Sequence, residues 1–456
     1  MAPEPQAAPH AYQPETLLLS LGDAFYDPVA AADFPETTLR FRNDRAAAEV
    51  GLDTLDDGAW LEHFGRFRPL PATLPQPLAL RYHGHQFRVY NPDLGDGRGF
   101  TFAQLRDRNG RLMDLGTKGS GQTPWSRAGD GRLTLKGGVR EVLATEMLEA
   151  LGVRTSRTFS LIETGEALER NDEPSPTRAA VLVRLSHGHV RIGSFQRLAY
   201  ERDEESMRRL VRYVLTNLYG EDSDDPVRLL SLVVDGTAQL AASYMAAGFV
   251  HGVLNSDNIN VTAESFDYGP WRFAPTWEPG FTAAYFDHAG LYAFGRQPEA
   301  IHWDVMQLAA SLRLLSEAEP LIAALERFAP EYQRAVVEAF LWRMGRRPSG
   351  SDADRALVQA TERALRETAT GIDRFFFDAF AQPLPPTYGE PWTEVRALLD
   401  AAPLRADRSH SYWQGEPCSM LIEEVEAIWQ PIAERDDWAP FHAKVAAIRV
   451  MGEALR

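Results

Sequence analysis

Asp257, Asn258 and Asp267 are the residues whose types and spacing point most directly to chemistry. An amide oxygen and a carboxylate oxygen, Asn258 and Asp267, are hard donors that can hold Mg2+ or Mn2+ against a triphosphate. Asp257, beside the amide, is placed to take a proton from an attacking hydroxyl. These residues fall in HGVLNSDN, residues 251–258, and DYG, residues 267–269. Standing alone, the octapeptide also reads as an Asx-rich surface turn. Phosphate chemistry further requires cations and free backbone N–H groups. LGDGRGF, residues 94–100, offers Gly95 and Gly97 around a tight turn with Arg98 in it, and KGSGQTPWSRAGDGR, residues 118–132, adds a second set of turns ending at Asp130 and Gly131. Neither has the G-x-x-x-x-G-K-[ST] spacing of a P-loop.

Lys118 and Glu141 form a possible second pair: a strand lysine that grips phosphate oxygens and a helix glutamate that holds its ammonium. Glu146 competes for the same role. Arg184 and Arg191 lie in LVRLSHGHVRIG, where a break at His187–Gly188–His189 lets a loop bring two guanidinium forks around phosphate. The two histidines admit a metal reading, with no further ligand set in the segment.

The elements that must carry these residues follow from pattern. FTFAQLRDRNGRLMDLGTKG, residues 100–119, reads as a hairpin turning at Asn109–Gly110, a pair suited to positive φ. It puts Lys118 on one strand face with Leu112, Asp114 and Gly116, although edge strands also carry lysine against aggregation. Residues 138–151 read as a helix with Val139, Val142, Leu143 and Met147 on its apolar face. FSLIETGEALER reads as an edge-forming strand and turn, and residues 179–186 as a strand approaching a lobe connection. Helical periodicity then covers ESMRRLVRYVLTNLYG, RLLSLVVDGTAQLAASYMAAGFV and residues 301–316, 318–345, 354–375, 394–401 and 419–455.

Strand, lysine strand, glutamate helix and metal-binding floor is the order of a protein kinase, whose floor runs H-R-D-x-x-x-x-N before D-F-G. Counting from His251, the usual catalytic Asp would be residue 253, and it is Val253, whereas the metal Asn is Asn258. The stretches HGHQFRVYNPDLGDGRG, KGSGQTPWSRAGDGR, VREVLATEMLEALGV, VLVRLSHGHVRIGSF and HGVLNSDNINVTAESFDYGP occur in order over residues 81–270. In this the sequence resembles the selenoprotein O, or YdiU-type, family of kinase-fold protein adenylyltransferases.

The resemblance implies an α+β, protein-kinase-like bilobal fold with a mixed small lobe and a predominantly helical large lobe. It implies transfer of AMP from ATP to Ser, Thr or Tyr hydroxyls of proteins with release of pyrophosphate, on a nucleotide turned around relative to a kinase's. By the same resemblance Gly95, Gly97 and Arg98 contact phosphate, and Lys118 is held by Glu141. Asp130 and Gly131 belong to the second nucleotide loop, Arg184 and Arg191 embrace the distal phosphates, and Asp257 is the proton acceptor. Asn258 and Asp267 hold Mg2+ or Mn2+, with Asp267 also on the nucleotide. The alternatives are a conventional protein or small-molecule kinase and an ATP-binding regulatory pseudokinase. The chain departs from the family pattern in ending VMGEALR with Cys418 as its one cysteine, so a C-terminal thiol pair has no counterpart. FRVYNPDL also replaces a more Gly/Ala-rich approach to the first glycine loop.

Bulk properties bound the remainder. The 456 residues are 44% hydrophobic and 24% charged, enough for a large core and two to four domain-sized units. A formal net charge of -17 argues against nucleic-acid or anionic-membrane partners, which need a concentrated positive surface. No apolar run reads as membrane-spanning and no leader is evident, so a cytoplasmic protein acting on protein substrates is expected. The expected division is a loose arm over residues 1–20, a small-lobe region over 21–180, and a helical large lobe with a C-terminal helical extension over 181–456.

Overall fold

The computed structural model describes residues 10–171 and 173–456. The strand Thr177–Ser186 shows why the small lobe is layered: TRAAVLVRLS is buried at all but one of its positions. Val181, Val183 and Leu185 enter one apolar cluster with Trp60, Phe64 and Phe159. Ala180 and Leu182 point the other way, into the cluster containing Val139 and Leu143 of the helix Leu135–Ala150. The period-2 alternation of a strand thus feeds two cores at once. Thr134 caps that helix, its hydroxyl accepting from the Gly137 N–H at 3.1 Å.

The sheet is antiparallel and runs Tyr26–Pro28, Leu78–Leu80, Thr101–Arg106, Leu112–Lys118, Thr177–Ser186, Arg157–Leu168, Thr38–Arg42. The 100–119 hairpin forms as read, but only Gly110 takes a positive φ (75°), and its N–H closes the turn on the Asp107 carbonyl at 2.8 Å. Two edge-strand expectations fail. Leu112–Lys118 is paired on both sides, so Lys118 is not an edge lysine. Arg157–Leu168 is likewise flanked on both sides, and the edge beyond it is Thr38–Arg42, a strand distant in sequence. Local pattern reports that a segment is extended, not how many neighbours it has.

The expected loose arm is partly corrected. Residues 1–9 lie outside the described residues, but Pro14–Glu15 pairs with Thr101–Arg106, and Leu17–Leu21 makes a 3-10 turn burying Leu18 and Leu21. The sheet itself runs on to Ser186, past residue 180.

The large lobe is helical around Pro226–Ala247, Gln297–Leu312 and Phe328–Arg343, and the expected α+β division into a mixed small lobe and a helical large lobe is present. Residues 318–345 form two helices, Ala318–Leu325 and Phe328–Arg343, with Pro330 tolerated in the first turn of the second. Residues 354–375 also divide, at the left-handed Ala369 (φ 49°), into Asp352–Thr368 and Ile372–Ala379. Pro226–Ala247 is, contrary to expectation, long and apolar enough to cross a membrane by length and composition, yet it is largely buried as the lobe's central helix. The last helices, Ile422–Arg435 and Ala439–Leu455, return to the small lobe. Phe441 meets Phe41 edge-on at 6.0 Å, and Lys136 pairs with Glu426 at 2.7 Å.

Candidate functional site

Between the lobes lies a cleft of about 720 Å3. Gly95, Gly97, Arg98, Lys118, Asp130, Gly131, Arg184, Arg191, Asp257 and Asp267 all line it. Glu141 lies behind Lys118, 1% exposed, and Asn258 is half-buried on the floor.

The two glycine loops meet, which their spacing could not establish. Thr123 Oγ1 donates to the Asp96 carbonyl at 2.6 Å and Ser126 Oγ to the Gly97 carbonyl at 2.5 Å. Gly95 lies flat against Trp125, where an added Cβ would sit 2.3 Å from the indole Cγ. Asp130 is at the rim, its carboxylate accepting from both Arg170 nitrogens at 2.8 and 3.1 Å and from the Arg132 N–H at 2.9 Å.

Lys118 donates to Glu141 Oε2 at 2.5 Å and sits 2.8 Å from Asp267 Oδ1. The competing Glu146 faces the opposite way and is held by Arg449 through two bonds of 2.8 and 2.7 Å. Burial by itself would raise the Asp267 carboxyl, but Lys118, then Arg184 and Arg98, hold it well below the usual range. Asp267 has a positive φ (63°), a conformation an aspartate tolerates better than most residues.

Arg184 and Arg191 do converge. Arg184 Nε donates to His189 Nε2 at 3.2 Å, and its Nη1 is buried without a partner. Arg191 donates to the Asp257 carbonyl at 3.2 Å and to Asp96 Oδ1 at 3.3 Å, and its Nε has no partner. Burial pushes the His189 imidazole down despite the Asp114 carboxylate 3.5 Å from its Nδ1, and pushes His187 down to about 4. His189 serves as the neutral support of Arg184, which leaves little for the metal reading of the two histidines.

The turn Ser256–Asn258 is pinned from several directions. Asn255 Oδ1 accepts from the Phe87 N–H at 3.0 Å and the Tyr292 hydroxyl at 2.7 Å. Ser256 Oγ accepts from the His85 N–H at 2.7 Å and donates to Gln196 Oε1 at 2.6 Å. The side chain left free is that of Asp257, whose Oδ1 is buried without a partner. Burial pushes its carboxyl up to about 6, against the pull of Arg191.

Whether the floor suits a divalent cation is decided by its donors. Asn258 spends its amide N–H on the Val253 carbonyl at 2.9 Å, which leaves its amide oxygen for another partner. That oxygen and the Asp267 carboxylate are a hard-oxygen set that fits Mg2+ or Mn2+. Among the described residues no group of three His, Cys, Asp or Glu side chains could hold a metal, so an ion here also needs oxygens from substrate or water, as Mg2+ commonly does.

Sequence reasoning missed Asp96, Tyr82, Trp125 and Phe266. Asp96 stood inside the first glycine loop, but nothing local indicated that it would reach Arg191. Tyr82 and Phe266 carried no signal apart from being aromatic.

Residues 9–414 match the family described as protein adenylyltransferase SelO. The protein nucleotidyltransferase YdiU of Gloeobacter violaceus is 43% identical, covering 95% of this chain and 94% of its own. That of a Synechocystis species is 43% identical, over 95% and 97%. Among solved structures, a rhoptry antigen kinase domain from Toxoplasma gondii is 13% identical, covers 58% of this chain and 83% of its own, and superposes with a TM-score of 0.30.

Proposed function

The chain belongs to the SelO family of protein adenylyltransferases, and from that premise we propose that its cleft transfers AMP from ATP to a Ser, Thr or Tyr hydroxyl of a protein, releasing pyrophosphate. The observation that carries this reading is the pairing of an unpartnered, buried Asp257 carboxylate with two buried arginines that retain free donors. Val253 removes the usual kinase carboxylate, so the available proton acceptor lies on the Arg191 side of the turn, where that arginine binds the Asp257 carbonyl. A nucleotide whose distal phosphates are gripped by Arg184 and Arg191 presents its α-phosphorus to an acceptor at Asp257.

In the step that follows, the acceptor oxygen forms a bond to the α-phosphorus as the bond to the bridging α–β oxygen breaks. The hydroxyl proton passes to Asp257, and pyrophosphate leaves with the bonding electrons. Arg184 and Arg191 face the charge that develops on the leaving group, in surroundings where little water competes. Lys118, fixed by Glu141, adds a third cation on the phosphate path. Mg2+ or Mn2+ held by Asn258 and Asp267 would neutralise triphosphate charge when bound.

ATP labelled separately at the α- and γ-phosphates, incubated with magnesium or manganese and candidate proteins, tests this reading. The expected result is stable acceptor label from α only, with pyrophosphate released and label lost on Ser/Thr/Tyr replacement at the mapped acceptor position. Label from γ alone would assign conventional phosphorylation instead.

A further inference from the structure

Two guanidinium groups in the cleft stand over one aromatic ring. Arg184 Cζ lies 5.1 Å and Arg191 Cζ 5.0 Å from the centroid of Phe266. This side chain is 1% exposed and immediately precedes Asp267.

A carboxylate orients a guanidinium by consuming its N–H groups. A ring attracts the cation through its negative face and leaves the in-plane donors free. The donors agree with the second arrangement, since Arg184 Nη1 and Arg191 Nε remain without partners. The carboxylates near Arg184 are committed elsewhere: Glu141 and Asp267 approach its Nη1 only to 3.8 and 3.7 Å, but reach Lys118 at 2.5 and 2.8 Å, while Arg191 has one carboxylate contact, to Asp96 at 3.3 Å. Each cation lies within 5.1 Å of the one centroid, and a shared ring offsets part of the repulsion between them. Tyr82, 4.1 Å from Arg191 Cζ, is a second ring for that arginine. Phe266 is the ring that both arginines share.

We infer that Phe266 is a positioning residue for the nucleotide: it fixes the planes and the spacing of the two arginine forks. It touches no phosphate and moves no proton. The inference rests on the reading of Arg184 and Arg191 as the grip on the distal phosphates. Its signature is therefore selective, because a ligand lacking those phosphates gains nothing from forks held in place.

The test is calorimetric titration of the full chain with ATP and, separately, AMP, in magnesium chloride, with Tm recorded for each variant. Phe266→Leu keeps an apolar side chain and removes the ring, with Phe266→Met taking its place if the leucine chain does not fold. The expected result is ATP binding weakened about tenfold or more, with AMP changed by less than about twofold. Phe266→Tyr, which retains the ring, is expected to bind ATP within about threefold of wild type; if it does not fold, the ATP-to-AMP ratio of the ringless variant decides. Equal weakening for both nucleotides, or unchanged ATP affinity in a folded ringless variant, overturns the inference. Arg184→Gln and Arg191→Gln separate the two levels. If neither lowers the ATP-to-AMP ratio, the phosphate-grip reading itself is wrong. If both do and the ringless variant does not, only the role of Phe266 fails.

Discussion

The helix Leu135–Ala150 carries a buried glutamate toward each of two different regions. Glu141 faces the cleft, where Lys118 is shared between two carboxylates and neighbouring groups, Arg184 Nη1, Arg191 Nε and Asp257 Oδ1, lack partners. Glu146 faces the returning C-terminal helix, where Arg449 meets it with two bonds and Arg45 and Asn43 approach at 3.6 and 3.4 Å. Both regions are dense with charge, but only the second is saturated. A cluster that serves the fold uses up its donors and acceptors, whereas one that serves a ligand keeps some back, at a cost in stability that the ligand offsets.

This contrast predicts opposite readouts on the two sides. The largest effect belongs to Asp267→Ala, which removes the proposed metal-binding carboxylate and the second partner of Lys118. Transfer is expected to become unmeasurable by α-phosphate label incorporation while Tm stays near wild type; a folded variant with normal transfer would move the active centre elsewhere. Asp257→Asn comes next. It keeps the shape of the side chain and removes the proposed proton acceptor, so kcat is expected to fall about 10²- to 10³-fold with ATP affinity unchanged within about twofold. A loss of ATP binding that matches the loss of turnover would give Asp257 a ligand-positioning role.

On the saturated side, Arg449→Ala is expected to lower unfolding free energy by about 2 kcal/mol, because the buried Glu146 loses both of its short bonds and keeps only the longer approaches of Arg45 and Asn43. Denaturant unfolding measures this, and transfer by the folded variant is expected to stay within about twofold of wild type. A much larger loss of transfer would mean that the C-terminal clasp sets the position of Glu141, and the separation of the two regions would fail.

The smallest effect concerns Glu264, which accepts from the His187 N–H at 2.7 Å. Burial pushes its carboxyl up to about 7, against that bond and Arg157. With the folded value above the unfolded one, its stabilising contribution is complete below the unfolded value and is lost as pH rises through about 7. Glu264→Gln keeps the acceptor oxygen and cannot ionise. Its stability relative to wild type is therefore expected to rise by about 1–2 kcal/mol between pH 5 and pH 8, a discounted figure because the side chain is only half-buried. Parallel pH–stability curves for the two proteins would contradict this.

The sequence by itself determined the residue types of the cleft and their order. HGVLNSDN, DYG, the glycine loops, Lys118 and the arginine pair are short motifs whose chemistry depends on local spacing, so they are legible without coordinates. The hairpin and most helices were legible too, because side-chain periodicity reports local conformation. Tertiary structure decided what depends on residues far apart in the chain. It chose Glu141 over Glu146 for Lys118, through the direction in which each leaves one helix. It made Leu112–Lys118 and Arg157–Leu168 interior strands by pairing them with distant segments. It packed Leu18 and Leu21 into a core and brought the last helix back against the small lobe. It also set Phe266 beneath two arginines and Asp96 against one of them. The physical reason is common to all of these: a periodic pattern shows which face of an element is apolar, but the partner of a buried charge or ring is fixed only when separate elements close on one another.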